Sequence, residues 1–279
     1  MQTKIAVVNY DSILGDIDAN LEKMDRFVAA GVAQGAHLVI FPETGTTGYF
    51  IGDKIVQLAE QVPGPTTHRL GEIAHTHNTY VVSGMVEKSN GGRFFNSSVM
   101  LSPQGNLVGH YRKCHLFSSE KQVFDAGSEA TLVDTDFGRV ALTICFDLVF
   151  PEYIRSLRLR GADLIINSTD WITNDWQTNK GWGGEVVSRL AATRALENTM
   201  HVAMASRVGL EDGWKSLGHS CICPPSGSFL ARIEDGEGMA VGAVELDSPE
   251  WETWRSIATY LPDRRLDLYD RIFPEKAAA

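Results

Sequence analysis

The sequence predicts an α/β protein whose sheet is mixed. Short runs rich in β-branched residues alternate along the 279-residue chain with segments whose apolar residues recur at helical spacing. Turn sequences such as NGGRF, SPQGN and PPSGS join neighbouring runs in the way that hairpins do. The alternation favours parallel strands joined by helices, and the hairpins add antiparallel pairs.

The predicted strands are about four to eight residues long, which is the usual strand length. In chain order they are KIAVVNY (4–10), HLVIFPE (37–43), TYVVSGMV (79–86), SSVMLS (97–102), NLVGHYR (106–112), RVALTICF (139–146), DLIINST (163–169), HVAMASRV (201–208) and AVGAVEL (240–246). The predicted helices lie between them, at 18–34, 66–77, 151–160 and 184–198. Since no repeat or linker divides the chain, we expect one domain over 1–262 and a C-terminal extension, 263–279, that packs on a partner subunit.

The composition restricts the classes of partner. A formal charge of −10 argues against nucleic-acid binding, which requires clustered Lys and Arg. The N-terminus lacks the apolar stretch of a signal peptide, and no apolar run approaches the roughly 18 residues of a spanning helix. We therefore expect a cytoplasmic protein without a membrane partner, with its four cysteines reduced.

Three predicted strands end in side chains that together suit acyl chemistry. Glu43, Lys113 and Cys145 each follow an apolar run and precede turn residues. In α/β sheets such strand ends collect in one place, where loops expose them. A thiol attacks an acyl carbon as thiolate and needs a base nearby, so a carboxylate, an ammonium and a thiol form a plausible set.

Each of these residues also has a structural explanation. Free cysteine is among the most buried residue types, so Cys145 alone is as well explained as core packing. Glu43 and Lys113 taken singly are explained as exposed charges in loops. The residues alone leave these alternatives open.

The motifs around the three residues resemble the signature blocks of the nitrilase superfamily of carbon-nitrogen hydrolases. FPET surrounds Glu43, RKCHLF surrounds Lys113 and TICFDLVFPE surrounds Cys145, and further matching segments extend almost from end to end. The resemblance implies a four-layer αββα sandwich with two mixed sheets. It also implies that Glu43 is the general base, Lys113 the lysine of the site and Cys145 the nucleophile, and that Glu120, in EKQVF, is a second glutamate.

The resemblance favours the amidase branch, because Phe146 and Asp147 stand where nitrilases often have tryptophan and glutamate. The expected reaction converts a small carboxamide to an acid and ammonia through a thioester on Cys145, with Lys113 and the Phe146 N–H holding the oxyanion. An N-carbamoyl amine hydrolase, a nitrilase and a catalytically silent binding protein are the alternatives. No cofactor or metal is expected, and family members commonly pair, so we expect at least a homodimer.

The loop after the strand at 163–169 is expected to shape the acyl pocket. Trp171, Asn167, Thr169, Phe146 and Tyr49 are the predicted substrate-binding residues. Trp176 and Trp182 fit a pocket and a subunit interface equally well. Because residues 168–179 contain no Arg or Lys, a carbamoyl amino acid is disfavoured as substrate.

His115 lies in RKCHLF beside the predicted lysine and could pair with a cysteine. Residues one apart on a strand face opposite sides, so His115 is expected to face away from the site. We expect it to make a hydrogen bond that holds the lysine loop. Asp147 and Glu152 are expected to be charges around a helix start.

Overall fold

Two six-stranded sheets form the centre of the molecule, which is a computed structural model describing residues 2–272. Along the first sheet the strands are β15 (Gly238–Val244), β1 (Thr3–Asn9), β2 (Leu38–Ile40), β3 (Tyr80–Lys88), β4 (Phe94–Leu101) and β5 (Leu107–Arg112). Along the second they are β14 (Ala231–Arg232), β13 (Cys221–Cys223), β10 (His201–Ser206), β8 (Leu164–Thr169), β7 (Gly138–Ile144) and β6 (Thr131–Thr135). A small third sheet contains β11 (Val208–Glu211), β12 (Trp214–Leu217) and β9 (Ile172–Thr173).

Both large sheets are mixed, as predicted. The central strands β1, β2 and β3 pair in parallel, as do β7, β8 and β10. The outer pairings are antiparallel, and the three predicted turns join β3 to β4, β4 to β5 and β13 to β14. The parallel centre places the ends of β2, β7 and β8 where one site can form.

Four helices of the described chain cover the outer faces of the two sheets. In chain order the helices are α1 (Ile17–Ala33), α2 (Ile55–Leu58), α3 (Pro65–Thr76), α4 (Pro151–Leu159), α5 (Asp175–Thr178), α6 (Gly184–Asn198), α7 (Pro249–Ile257) and α8 (Leu266–Ile272). Those that cover the sheets are α1, α3, α4 and α6. In β1, Val7 faces the second sheet whereas Val8 packs with Leu21 of α1 and Leu70 of α3. On the far side, Ile154 of α4 and Val187 of α6 pack on the second sheet. The expected αββα sandwich is thereby confirmed.

Local signals explain where the main helices begin. Asp16 precedes α1, and its carboxylate accepts a hydrogen bond from Ala19 N at 3.0 Å. Pro65 occupies the first turn of α3, where its missing N–H costs nothing. The four predicted helices all exist within two residues of their predicted bounds, whereas β6, the small third sheet and α7 were not predicted.

The cysteines and the helices of the described chain bear on two expectations from the sequence, reduced thiols and the absence of a spanning helix. All four cysteines are free, and Cys221 and Cys223 lie buried on the same short strand. No helix within residues 2–272 is long and apolar enough to cross a membrane. The predicted extension, 263–279, begins between α7 and α8, and its residues 273–279 lie outside the described residues.

Candidate active site

The ends of three strands bring Glu43, Lys113 and Cys145 together, as predicted. Glu43 follows β2, Lys113 follows β5 and Cys145 follows β7 directly. Their exposed fractions are 0%, 1% and 5%, so all three are buried. Burial of two charged groups is costly unless they are paired, and their pairing is what the structure shows.

A four-residue network joins the predicted carboxylates to the lysine. Lys113 Nζ donates to Glu43 Oε1 at 2.7 Å and to Glu120 Oε1 at 2.9 Å. Asn96 Nδ2, on β4, donates to the same two oxygens at 2.7 and 3.0 Å. Glu120 stands at the start of a 3₁₀ turn, Ser118–Gln122, and its other oxygen accepts from Phe117 N at 2.6 Å. Glu120 is therefore a buried member of the cluster and not a solvated glutamate at a helix start.

The cluster raises the pKa values of three of its members, for different reasons. Burial, together with the negative charge of Glu120, raises the pKa of the Glu43 carboxyl to about 7, although Lys113 opposes the shift. Burial disfavours the Lys113 ammonium, but the charges of Glu43 and Glu120 outweigh it and raise its pKa. Burial raises the pKa of the Cys145 thiol, so the resting sulfur is protonated. A base must therefore take the thiol proton when the sulfur attacks.

Cys145 stands at a sharp turn between β7 and a 3₁₀ turn, Cys145–Val149. Its φ is +45°, a left-handed conformation that is strained for a side chain other than glycine. Thr44, next to Glu43, has a φ of +46° in the same way. Strained backbone beside both reactive groups is typical of a functional site. The Cys145 sulfur lies 3.7 Å from Asp170 O.

Asp147 joins the loop that carries Lys113 to the turn that carries Cys145. It is fully buried, and its carboxylate accepts from Tyr111 Oη at 2.7 Å and from Ile144 N at 2.9 Å. It also accepts from His115 Nδ1 at 2.7 Å and from the His115 backbone N–H at 3.0 Å. The predicted hydrogen-bonding role of His115 is thus confirmed. Asp147 lies within the 3₁₀ turn Cys145–Val149, close to a helix start as expected, and it is an interior organiser.

A second buried ion cluster supports the site from the other side. Arg207 Nη1 lies 3.3 Å from the Asp170 carboxylate, and Arg207 Nη2 pairs with Glu211. The other Glu211 oxygen accepts from the backbone N–H groups of Tyr49 and Phe50, each at 3.0 Å. Asp170 N in turn donates to Glu43 Oε2 at 2.9 Å. Arg207 thereby connects the two loops that enclose Glu43.

A cavity of about 260 Å³ adjoins the Cys145 sulfur. Phe146 and Trp171 line it, in agreement with their predicted role as substrate-binding residues. Trp182 also lines it, with its ring 5.9 Å from that of Trp171, whereas Trp176 is 69% exposed and does not. Of the two tryptophans that could line a pocket or a subunit interface, Trp182 therefore belongs to the cavity wall.

The other predicted substrate-binding residues lie outside the described cavity lining. Thr169, at the end of β8, is near enough to Cys145 that its hydroxyl partly offsets the effect of burial, which raises the thiol pKa. Tyr49 lies close enough to Glu120 and Glu43 for their charges, after burial, to raise its pKa. The Asn167 side chain donates to Thr143 Oγ1 at 3.0 Å, across the sheet. This hydrogen bond ties Asn167 to the neighbouring strand, and substrate binding by Asn167 stays a prediction.

Several residues of the site escaped the sequence analysis. Asn96, Arg207 and Glu211 come from strands that the sequence places far from the three reactive residues. The one usable signal was Asp170, a polar residue directly after β8, where a strand end in this fold points to the site.

A buried thiol beside a carboxylate, an ammonium and a second carboxylate defines a hydrolase that attacks acyl carbon through sulfur. The chain matches the model of the carbon-nitrogen hydrolase family over residues 4–256. It is 35% identical to an (R)-stereoselective amidase of a Pseudomonas species over 95% of this chain and 92% of that one. It is 32% identical to a probable nitrilase of Schizosaccharomyces pombe over 98% and 99%. An amidase structure from Nesterenkonia sp. AN1 superposes with a TM-score of 0.82 at 25% identity, covering 97% of this chain and 100% of that one.

The chain therefore belongs to the carbon-nitrogen hydrolase family, within the nitrilase superfamily. It is therefore an enzyme of the class that hydrolyses carbon–nitrogen bonds.

Proposed function

We propose that the protein converts a small carboxamide to a carboxylic acid and ammonia, with Cys145 as nucleophile and Glu43 as general base. The observation that carries this proposal is the buried cluster of Glu43, Lys113 and Glu120 beside a protonated thiol. Such a cluster of buried charges is costly to maintain without a chemical use, which argues against a silent binding protein.

The first half of the reaction forms the thioester. Glu43 takes the thiol proton as the Cys145 sulfur bonds to the carbonyl carbon, and the electron pair of the C=O moves to oxygen. Lys113 and the Phe146 N–H stabilise the oxyanion, since the first N–H groups of a helical turn have no partner within it. The C–N bond then breaks as Glu43 returns the proton to nitrogen, and ammonia leaves.

The second half consumes water. Glu43 takes a proton from a water molecule whose oxygen attacks the thioester carbon, and the C–S bond breaks. The thiolate is reprotonated, and the acid is released. A pKa near 7 suits Glu43 to both directions of proton transfer at neutral pH. Glu120 raises that pKa and holds the lysine, and the proposed chemistry uses no cofactor.

Ammonia release from primary amides, N-carbamoyl amines and nitriles tests the reaction type. Amides should be turned over fastest, and Cys145→Ala should abolish turnover. Cys114→Ser is the matched control, because Cys114 is a thiol next to Lys113 in sequence whose sulfur bonds outside the cluster. Equal turnover by Cys145→Ala, or a preference for nitriles, would overturn the assignment. A mass increase confined to Cys145 during turnover of a slow amide would identify the acyl group.

We also propose that the enzyme works in the cytoplasm as at least a homodimer. Exposed apolar side chains in the C-terminal part, including Ile257 and Leu266, support an association there. Light scattering that gives the mass of one chain would contradict the dimer, and fractionation of expressing cells tests the compartment.

A further inference from the structure

The wall of the cavity beside Cys145 is almost entirely apolar. Its aromatic members are Phe117, Phe146, Trp171 and Trp182, and its aliphatic members are Val149 and Ile172. In the described part of the chain, the remaining lining groups are Gln177, Asp170 and Cys145 itself, so no Lys, Arg or His contributes to the wall. An acyl group that enters this cavity exchanges water for aromatic and aliphatic surface.

The buried cations near the cavity are already engaged, and one of them, Arg194, pairs with Glu197 and donates to Val149 O. Lys113 is paired with two carboxylates, and Arg207 is paired with two others. Neither Lys113 nor Arg207 is therefore an unpaired cation that an acyl carboxylate could meet in the cavity. The charge of the Asp170 carboxylate is already compensated by Arg207 through Oδ2, while Oδ1 has no hydrogen-bond partner among the described residues.

We infer that the enzyme selects amides with an uncharged, apolar acyl group, and that Trp171 and Trp182 are residues that determine this specificity. The inference rests on the proposed amide hydrolysis at Cys145. An acyl carboxylate or ammonium would lose its hydration in this cavity and meet no ion whose charge is not already compensated. An aliphatic or aromatic acyl group would gain contact with two tryptophan rings that meet edge to face at 5.9 Å.

Three substrates matched in length test the charge preference. Hexanamide ends in a methyl group, adipic acid monoamide in a carboxylate and 6-aminohexanamide in an ammonium. We expect kcat/KM for hexanamide to exceed that of both charged amides by on the order of 100-fold or more. From propanamide to hexanamide, kcat/KM should rise about fourfold per methylene, which corresponds to burying one CH₂.

Two neighbouring variants test whether the cavity wall is the cause. Gln177 lines the cavity, so Gln177→Arg brings a cation to the acyl group and should shift the ratio of kcat/KM toward adipic acid monoamide by at least about tenfold. Trp176→Arg adds the same charge one residue away on an exposed side chain and should leave the ratio unchanged. Trp182→Ala should lower kcat/KM for hexanamide more than for acetamide, since acetamide is too short to lose the contact.

The results separate this inference from the proposed function. Equal or faster turnover of either charged amide, with Cys145→Ala inactive, would overturn the apolar preference and leave amide hydrolysis intact. Equal shifts in Gln177→Arg and Trp176→Arg would show that the cavity wall does not set the preference. Failure to release ammonia from every amide would overturn the proposed function. Tryptophan fluorescence titration of Cys145→Ala would then still test the inference, which predicts tighter binding of hexanamide than of either charged amide.

Discussion

Replacing Arg207 with methionine removes the cation that neutralises two buried carboxylates. The Arg207 side chain is 0% exposed, and its partners Asp170 and Glu211 are 1% and 7% exposed. Methionine approximates the length of the arginine stem but carries no charge. The variant therefore leaves two carboxylates buried without their counter-ion.

The expected loss of stability follows from the cost of breaking a buried ion pair from one side. Removing one partner of such a pair costs about 3–5 kcal/mol, because the other charge stays buried and uncompensated. For a chain of this size, each kcal/mol lowers Tm by roughly 2–4 °C, so we expect a drop of about 6–20 °C. The surface pair of Arg189 and Glu185, at 3.7 Å with exposed fractions of 73% and 46%, should contribute no more than about 1 kcal/mol.

Urea unfolding at pH 7, followed by far-UV circular dichroism, measures the difference. Arg207→Met should lower the free energy of unfolding by several kcal/mol, whereas the control Arg189→Met should leave it within about 1 kcal/mol. Neutralising the partners in the same chain, with Asp170→Asn and Glu211→Gln, should recover much of the loss. A loss no larger than that of Arg189→Met would refute the reasoning.

The same variant should also reduce activity below its unfolding temperature. Glu211 holds the backbone of Tyr49 and Phe50, and Asp170 N holds Glu43. Loss of the cation loosens both loops, so kcat should fall more than KM rises. Arg207→Lys should restore part of kcat, because it returns the charge. An unchanged kcat in a folded Arg207→Met protein would show that the cluster serves stability alone.

Four further outcomes are expected. In the native enzyme, kcat/KM should rise with pH through about 7, because Glu43 must be ionised to take the thiol proton; a flat profile between about pH 5 and 8 would contradict this assignment. Glu120→Gln removes a negative charge that raises the Glu43 pKa, so the rising limb should move to lower pH by on the order of one unit, and a shift to higher pH would exclude that role. Gly84→Ala places a Cβ 2.6 Å from the Glu43 Cα, too close for two carbon atoms, so Glu43 must shift. Because the proposed base is then misplaced, kcat/KM should fall about 100-fold. Native-like activity would contradict the close packing of Gly84 on Glu43. Asp147→Asn loses two of the hydrogen bonds to its carboxylate, and chemical unfolding should show a loss of about 3 kcal/mol; a change within 0.5 kcal/mol, roughly that of a surface substitution, would disprove its organising role.

The α/β class and the reactive residues were accessible from the sequence because both depend on local patterns. The periodic spacing of apolar residues in strands and helices can be recognised among neighbouring residues. For this reason α1, α3, α4 and α6 were predicted within two residues of their bounds. The strand-end rule then grouped Glu43, Lys113 and Cys145 without knowledge of any distance. Even α7 carried a readable signal, since Ser248 precedes Pro249 and caps the helix, accepting a hydrogen bond from Trp251 N.

The partners of the reactive groups were not accessible, because they depend on contacts between distant segments. Asn96 joins Glu43 across 53 positions of sequence, and Ser168 reaches Phe41 O across 127. No local period reports such pairs. The hydrogen bond from Asn167 to Thr143 is a further example, since it exists only where β7 and β8 lie side by side.

The sequence by itself predicted the class of fold from strand and helix periodicity, and its short motifs, by their resemblance to those of the family, predicted the residues proposed as nucleophile, base and lysine. Only the tertiary structure decided that Trp182 lines the acyl cavity while Trp176 faces solvent. It also decided that Asp147 and Arg207 are interior organisers. Whether a charged side chain is buried and paired depends on how distant segments of the chain pack together. In the sequence Asp147 and Arg207 look like surface charges, and they become buried structural residues only where two chain segments enclose them.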